Sequence, residues 1–253
     1  MTSETHIQEL LSRRTDLSTF VVHLTRDSHG HSAKYNLKQI LKHRKLEARS
    51  AWGQALKFDL SRTDRKSQKC VSFSETPLAH IKSLLGEIPK RKIHLSPYGL
   101  AFTKMTARTK GVNPIWYIDI TAGSSRDWLS RSVDELIKVA VAKKSGFEES
   151  AIAKLCPFIE QMGSGTRAAD GYGYQKEFWW EREWRHQGDF RFLREEIAFG
   201  LAPEESIEEL ETLLAKDKRS RKLRFLDPTW SLERMIAHLC TCPGPFTPFD
   251  AED

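Results

Sequence analysis

The sequence predicts an α+β fold, on three observations. Short runs rich in β-branched and aromatic residues, bounded by turn-forming residues, recur along the chain. Segments whose apolar residues repeat at i, i+3 and i+4 stand among them, without the strict strand–helix–strand alternation of a parallel sheet. The 253 residues, 39% of them hydrophobic and 10% aromatic, can close a sizeable core, which excludes disorder as the general state.

Taken in order, Phe20–Thr25 (FVVHLT) reads as a strand that runs into the polar loop Asp27-Ser28-His29-Gly30, and Leu37, Ile40 and Leu41 mark a helix near Tyr35–His43. Lys69–Ser74 is a second strand. Pro77 opens a helix with the stripe Leu78, Ile81, Leu84, Leu85, and Tyr98–Thr103 and Ile115–Ile120 are further strands. Val133, Leu136, Ile137, Ala140 and Val141 form one helical face, with Ser132 as its cap and Gly146 as its end; a second helix is expected from Glu149 to Met162. Four glycines in Gly163–Tyr174 predict a mobile loop ahead of an aromatic strand, Phe178–Arg185. Ile197–Leu201 and Leu223–Leu226 are strands on either side of a helix over Glu204–Ala215, and a last helix starts at Ser231. No repeat or linker divides the chain, so one domain is expected over 1–253, with 126–165 as a helical insertion.

The charge is unevenly spread. Residues 1–110 hold 21 Lys+Arg against 9 Asp+Glu, and residues 111–253 hold 19 against 25, for an overall +6. A basic first half suits an anionic partner such as nucleic acid or a phosphate-bearing small molecule, and equally a solvated positive face. No apolar run reaches the length of a membrane span and no secretory signal opens the chain, so the expected address is cytoplasmic, with no membrane partner. Cys70, Cys156, Cys240 and Cys242 make no disulfide framework. Neither His29 and His31 nor His238, Cys240 and Cys242 have zinc-site spacing, so no metal is expected.

Three segments carry candidate chemistry. In Phe178–Arg185 (FWWEREWR), a strand would put Glu181 and Glu183 on one face about 7 Å apart, where two carboxylates can be tuned to different roles. The same acids can instead simply pair with Arg182 or Arg185. In Cys70–Glu75 (CVSFSE), alternation turns Val71 and Phe73 inward and puts the Ser72 and Ser74 hydroxyls on the opposite face. In the first strand, His23 and Thr25 share a face and Arg26 stands at the exit, a histidine suited to a ribose hydroxyl and an arginine suited to a diphosphate.

The order of a His-x-Thr-Arg strand, a Ser-x-Ser strand and a late Glu-x-Glu resembles ADP-ribosyltransferases. More specifically, Val22–Arg26 (VHLTR), Val71–Leu78 (VSFSETPL), Tyr98–Lys104 (YGLAFTK), Gly111–Tyr117 (GVNPIWY) and Glu181–Arg185 (EREWR) resemble the abortive-infection family AbiGi, over roughly residues 20–200. The transferase resemblance implies split β-sheets with surrounding helices and NAD as substrate. His23, Thr25, Arg26, Ser72 and Ser74 would hold that dinucleotide, Glu183 would be the catalytic carboxylate and Glu181 would act on the acceptor. Tyr172 and Tyr174 would contact a nucleic-acid or protein target. The implied activity is ADP-ribosyl transfer in phage defence. AbiGi members carry the label of an antitoxin, which implies the alternative: a non-catalytic regulatory partner that binds a cognate toxin.

Overall fold

The computed structural model describes residues 14–51, 53–86, 94–121, 128–143, 146–166, 173–215 and 223–240. Strands and helices are mixed in the α+β manner. In chain order, β1 (Phe20–Leu24) and α1 (Ala33–His43) are followed by the short strands β2 (Lys45–Leu46) and β3 (Ser50–Ala51), then α2 (Arg62–Ser67) and β4 (Lys69–Ser74). Next come β5 (Gly99–Thr103), α3 (Lys104–Thr109), β6 (Asn113–Pro114), β7 (Trp116–Asp119), α4 (Trp128–Val141) and α5 (Ala151–Leu155). The rest is β8 (Ile159–Thr166), β9 (Gly173–Lys176), β10 (Glu183–Gln187), β11 (Phe190–Arg191), β12 (Ile197–Leu201), α6 (Glu204–Ala215), β13 (Phe225–Leu226) and α7 (Leu232–Cys240).

The chain divides into two compact units. The first comprises Met1–Arg44, Thr76–Lys104 and Phe192–Asp253. Here β1 pairs antiparallel with β5 (Val22↔Ala101), β5 antiparallel with β12, and β12 parallel with β13 (Gly200↔Phe225). Val22, Leu24, Ala101, Phe199, Leu201 and Leu226 turn toward one core, met by Ile81, Leu84 and Met235. Ile81 and Leu84 come from Leu78–Leu85, which is a 3₁₀ helix; its three-residue turn places i and i+3 directly above one another. Gly200 is required because a Cβ there would come within 2.2 Å of the Phe225 ring.

The second unit comprises Lys45–Glu75 and Met105–Arg191. Its main sheet centres on β4, which pairs antiparallel with β3 and β10, and β10 pairs with β6. A three-stranded sheet runs β7-β8-β9, parallel then antiparallel, and β2 pairs with β11. Of the helical face expected from Val133, Leu136, Ile137, Ala140 and Val141, Val133, Ile137 and Ala140 pack with Ala55, Leu60, Ile118, Phe147, Ala153, Cys156 and Ile159, whereas Leu136 and Val141 are exposed, since they project to either side of that buried stripe.

Four expectations are corrected. The helix expected over Glu149–Met162 stops at Leu155; Pro157 has no N–H to continue it, and the chain passes through a 3₁₀ turn, Cys156–Phe158, into β8. Part of the loop expected over Gly163–Tyr174 is strand, up to Thr166 and again from Gly173, while 167–172 lie outside the described residues. Gly163 has φ +119°, and a Cβ on it would lie 2.6 Å from Thr121 Oγ1 and 2.7 Å from Asp119 Oδ1, so this glycine serves close packing rather than motion. Ser132 lies inside α4, where its hydroxyl donates to the Trp128 carbonyl at 2.8 Å, and does not cap it. Finally, Phe178–Arg185 is not one strand: Phe178–Glu181 is a 3₁₀ turn, Arg182 is left-handed (φ 47°), and β10 begins at Glu183.

Replacing Gly200 with Ala forces the Phe225 ring aside and is expected to cost about 1–3 kcal/mol, the usual penalty of overpacking, read as a lower urea midpoint at unchanged slope.

Candidate functional site

The pairing of β4 with β10 sets Glu183 directly opposite Ser74, Trp184 opposite Phe73 and Arg185 opposite Ser72. Alternation therefore gathers Ser72, Ser74, Glu183 and Arg185 on one face of this strand pair and Phe73 and Trp184 on the other. The predicted inward turn of Val71 and Phe73 is observed: both are buried, whereas Ser72 and Ser74 are half-buried. The sequence motifs Ser-x-Ser and the second acid of Glu-x-Glu thus meet through strand register. Glu181 does not join them on that strand, because the left-handed Arg182 breaks the alternation and leaves Glu181 at the end of the 3₁₀ turn.

Arg185 is the centre of this face. Its side chain is 2% exposed, and it lies against Glu183, which is 18% exposed. The guanidinium grips that carboxylate with two hydrogen bonds, Nε to Oε1 at 2.7 Å and Nη2 to Oε2 at 2.8 Å. Nη1 donates to the Pro157 carbonyl at 2.8 Å, and Nη2 also donates to Glu160 Oε2 at 2.9 Å. Glu160, on β8, in turn forms an ion pair with Lys176 on β9. Four fork-geometry donors satisfied by two acids and a carbonyl are what permit a guanidinium to be buried.

The charges answer to this network. Burial alone would raise the Glu160 carboxyl, but Arg185 and Lys176 beside it reverse that and hold it below the ordinary carboxylate range. Burial opposes the charge on Arg185, and the neighbouring Glu183 and Glu160 overcome it, keeping the guanidinium protonated above its usual value. Burial, then the negative Glu183, pushes the Tyr117 phenol upward; its hydroxyl donates to the Phe178 carbonyl at 3.3 Å. Burial pushes the Cys70 thiol up to about 12, so it is no nucleophile at neutral pH.

A second acid went unassigned in the sequence reading. Glu75 follows the Ser-x-Ser strand and is buried. Its Oε2 accepts the Trp184 indole N–H at 2.9 Å, its Oε1 lies 3.4 Å from Arg182 Nη2, and its backbone N–H donates to the Arg182 carbonyl at 3.2 Å. These contacts hold Arg182 in its left-handed conformation. Alternation from Phe73 was the available signal for Glu75. Glu160 had none, since it fell in a segment read as helix.

The remaining candidates are placed as follows. His23 is half-buried in β1 opposite Leu100. Thr25 is buried, and its hydroxyl donates to the Tyr98 carbonyl at 2.9 Å, an anchoring bond within the first unit. Arg26 is half-buried just past β1, where its carbonyl accepts from Asn36 Nδ2 at 2.9 Å. Tyr174 lies in β9 opposite Gly165, and Tyr172 lies outside the described residues. Among the described residues no three His, Cys, Asp or Glu side chains gather as a metal ion would require, and no helix is long and apolar enough to cross a membrane.

One family model matches the chain, over residues 38–227: AbiGi, described as an abortive phage resistance protein, antitoxin. No curated protein and no solved structure matches it.

Two predictions come from the arginine network. Arg185→Met strips Glu183 of its counter-charge and leaves Glu160 with Lys176 alone, and is expected to cost about 3–5 kcal/mol in urea unfolding, much of it recovered when both acids are also made Gln. Because the folded-state pKa of Glu160 is depressed, its contribution is present above the unfolded value of about 4.3 and is lost as pH falls through the folded one. Wild-type stability is therefore expected to drop more steeply below about pH 4 than that of Glu160→Gln, in paired denaturation curves.

Proposed function

The chain belongs to the AbiGi family, and from that we propose that it acts in phage defence as the antitoxin of an abortive-infection pair, a non-catalytic protein that binds and restrains a cognate toxin. The family match over residues 38–227 carries this reading. The state of Glu183 supports it. A carboxylate that stabilises a developing oxocarbenium ion must bring uncompensated negative charge to the reacting sugar. Glu183 is held bidentately by a buried arginine, so its charge already balances another.

A binding role also has a surface within the second unit. Helix α4 buries Ser130, Val133, Ile137 and Ala140 but exposes Trp128, Leu129, Leu136 and Val139, at 59%, 41%, 57% and 58%. At a helical period the exposed group forms a second apolar stripe, and contiguous exposed apolar side chains mark protein interaction sites.

A second reading is kept because of one observation: Ser74 stands directly across from Glu183. In that reading the fold is ADP-ribosyltransferase-like, with split sheets and surrounding helices. NAD is then the substrate, Ser72 and Ser74 support its ribose, Glu183 is the catalytic carboxylate, and a nucleic acid or protein accepts ADP-ribose.

Expression separates the two. The chain alone is expected to leave host growth unchanged and to restore growth when co-expressed with its cognate toxin. Leu136→Glu with Val139→Glu is expected to abolish that rescue while leaving the free energy of urea unfolding within about 0.5 kcal/mol of wild type, as for other exposed positions. Transfer of label from NAD into macromolecules by the wild type, absent in Glu183→Gln, would instead establish the transferase.

A further inference from the structure

Residues 26–44 of the first unit concentrate positive charge: five Lys or Arg and three His, against the single acid Asp27. Asp27 is engaged at the start of α1, where its Oδ1 accepts the Ala33 N–H at 2.8 Å. Ahead of the helix, Ser28 and His31 exchange both backbone hydrogen bonds at 3.0 Å, with His29 and Gly30 at φ 53° and 76°. Two successive positive φ values make this a tight, twisted two-residue turn. Asn36 Nδ2 ties the turn to the helix through the Arg26 carbonyl and the Ser28 hydroxyl, and Ser32 Oγ accepts the Tyr35 N–H.

This pinned turn holds two rings in place. The His31 imidazole and Tyr35 phenol stack at 4.3 Å between centroids and 20° between planes, and both residues are exposed, Tyr35 at 42%. With about 100° per residue, Tyr35, Lys38 and Lys42 fall along one stripe of α1, turned away from the buried Ala33, Leu37 and Leu41, and His31, just ahead of the helix, joins it by stacking on Tyr35. Lys34 and Lys38 pair with Glu209. Among the described residues, Arg26, Lys42 and Arg44 have no carboxylate within ion-pair distance.

A flat, exposed ring pair offers a π-face to an unpaired base, and the cations run on from it for about 10 Å along the helix, farther than one phosphate extends. A protein partner would need more apolar surface than this stripe carries, and a duplex would keep its bases stacked on each other. We propose that the Ser28–His31 turn and the outer face of α1 form a contact surface for single-stranded nucleic acid, one base stacking on the His31–Tyr35 pair and the phosphate chain following Lys42 and Arg44. This surface lies apart from the Ser72–Ser74–Glu183 face in the sequence and does not depend on the antitoxin reading.

The test is fluorescence anisotropy of the full chain with labelled 12-nucleotide RNA and DNA strands, a hairpin duplex, and AMP as a competitor, at stepped salt. Single strands are expected to bind more tightly than the duplex. Tyr35→Ala and His31→Ala are each expected to weaken binding by roughly tenfold while keeping the wild-type circular dichroism, with Tyr35→Phe close to wild type. Lys42→Gln with Arg44→Gln is expected to flatten the dependence of log affinity on log salt. The proposal is overturned if neither strand binds, if the duplex binds as well, if Tyr35→Ala changes nothing, or if AMP competes at the same concentration as the strand.

Discussion

A guanidinium buried at the meeting of three segments is the constraint on which the second unit rests. Arg185 on β10 is hydrogen-bonded to Glu183 on its own strand, to the carbonyl of Pro157 in the turn before β8, and to Glu160 on β8, which passes the charge on to Lys176 of β9. Uncompensated, such a charge would cost several kcal/mol in a water-poor setting. Its partners therefore have to be present together, and that requirement fixes strand register as well as charge. A slip of one residue between β4 and β10 would carry Arg185, together with Glu183, to the opposite face, away from Glu160 and the Pro157 carbonyl.

The same constraint bears on function. The acid most easily read as catalytic is the one that the buried arginine holds. Ser72 and Ser74 share its face through register, and its carboxylate serves charge balance. Each unit also carries a feature of a binding protein: in the second, a helix apolar on two sides, and in the first, a basic helix bearing a fixed, exposed ring pair. Membership of an abortive phage resistance family is consistent with a protein whose work is recognition.

How much was legible depended on whether the decisive neighbour was near in sequence. Lys69–Ser74 and Glu204–Ala215 form as read, because alternation in the one and helical spacing in the other are local patterns that tertiary contacts reinforce. The inward turn of Phe73 and outward turn of Ser72 and Ser74 were legible for the same reason. Glu149–Met162 misled because apolar residues at mixed spacing also suit a strand, and Pro157 outweighed the periodicity. Gly163 read as freedom where it is in fact closeness, since its crowding comes from Asp119 and Thr121, more than forty positions earlier. Phe178–Arg185 looked like one strand because its aromatic residues favour strands. The left-handed Arg182 depends on Glu75, which is over a hundred positions away in the chain.

By itself, then, the amino-acid sequence determined the α+β class, most strands and helices, the faces they bury, and the residue types from which a site can be made, since each follows from the spacing of polar and apolar groups along a few turns or pleats. Only the tertiary structure decided that Glu183 meets Ser74, that Arg185 is buried against it, that Glu160 joins Arg185, and that Glu75 joins Trp184 and Arg182. Those facts depend on hydrogen-bonded strand register and on the need to neutralise buried charge, and both are satisfied by partners that the linear order of residues does not place side by side.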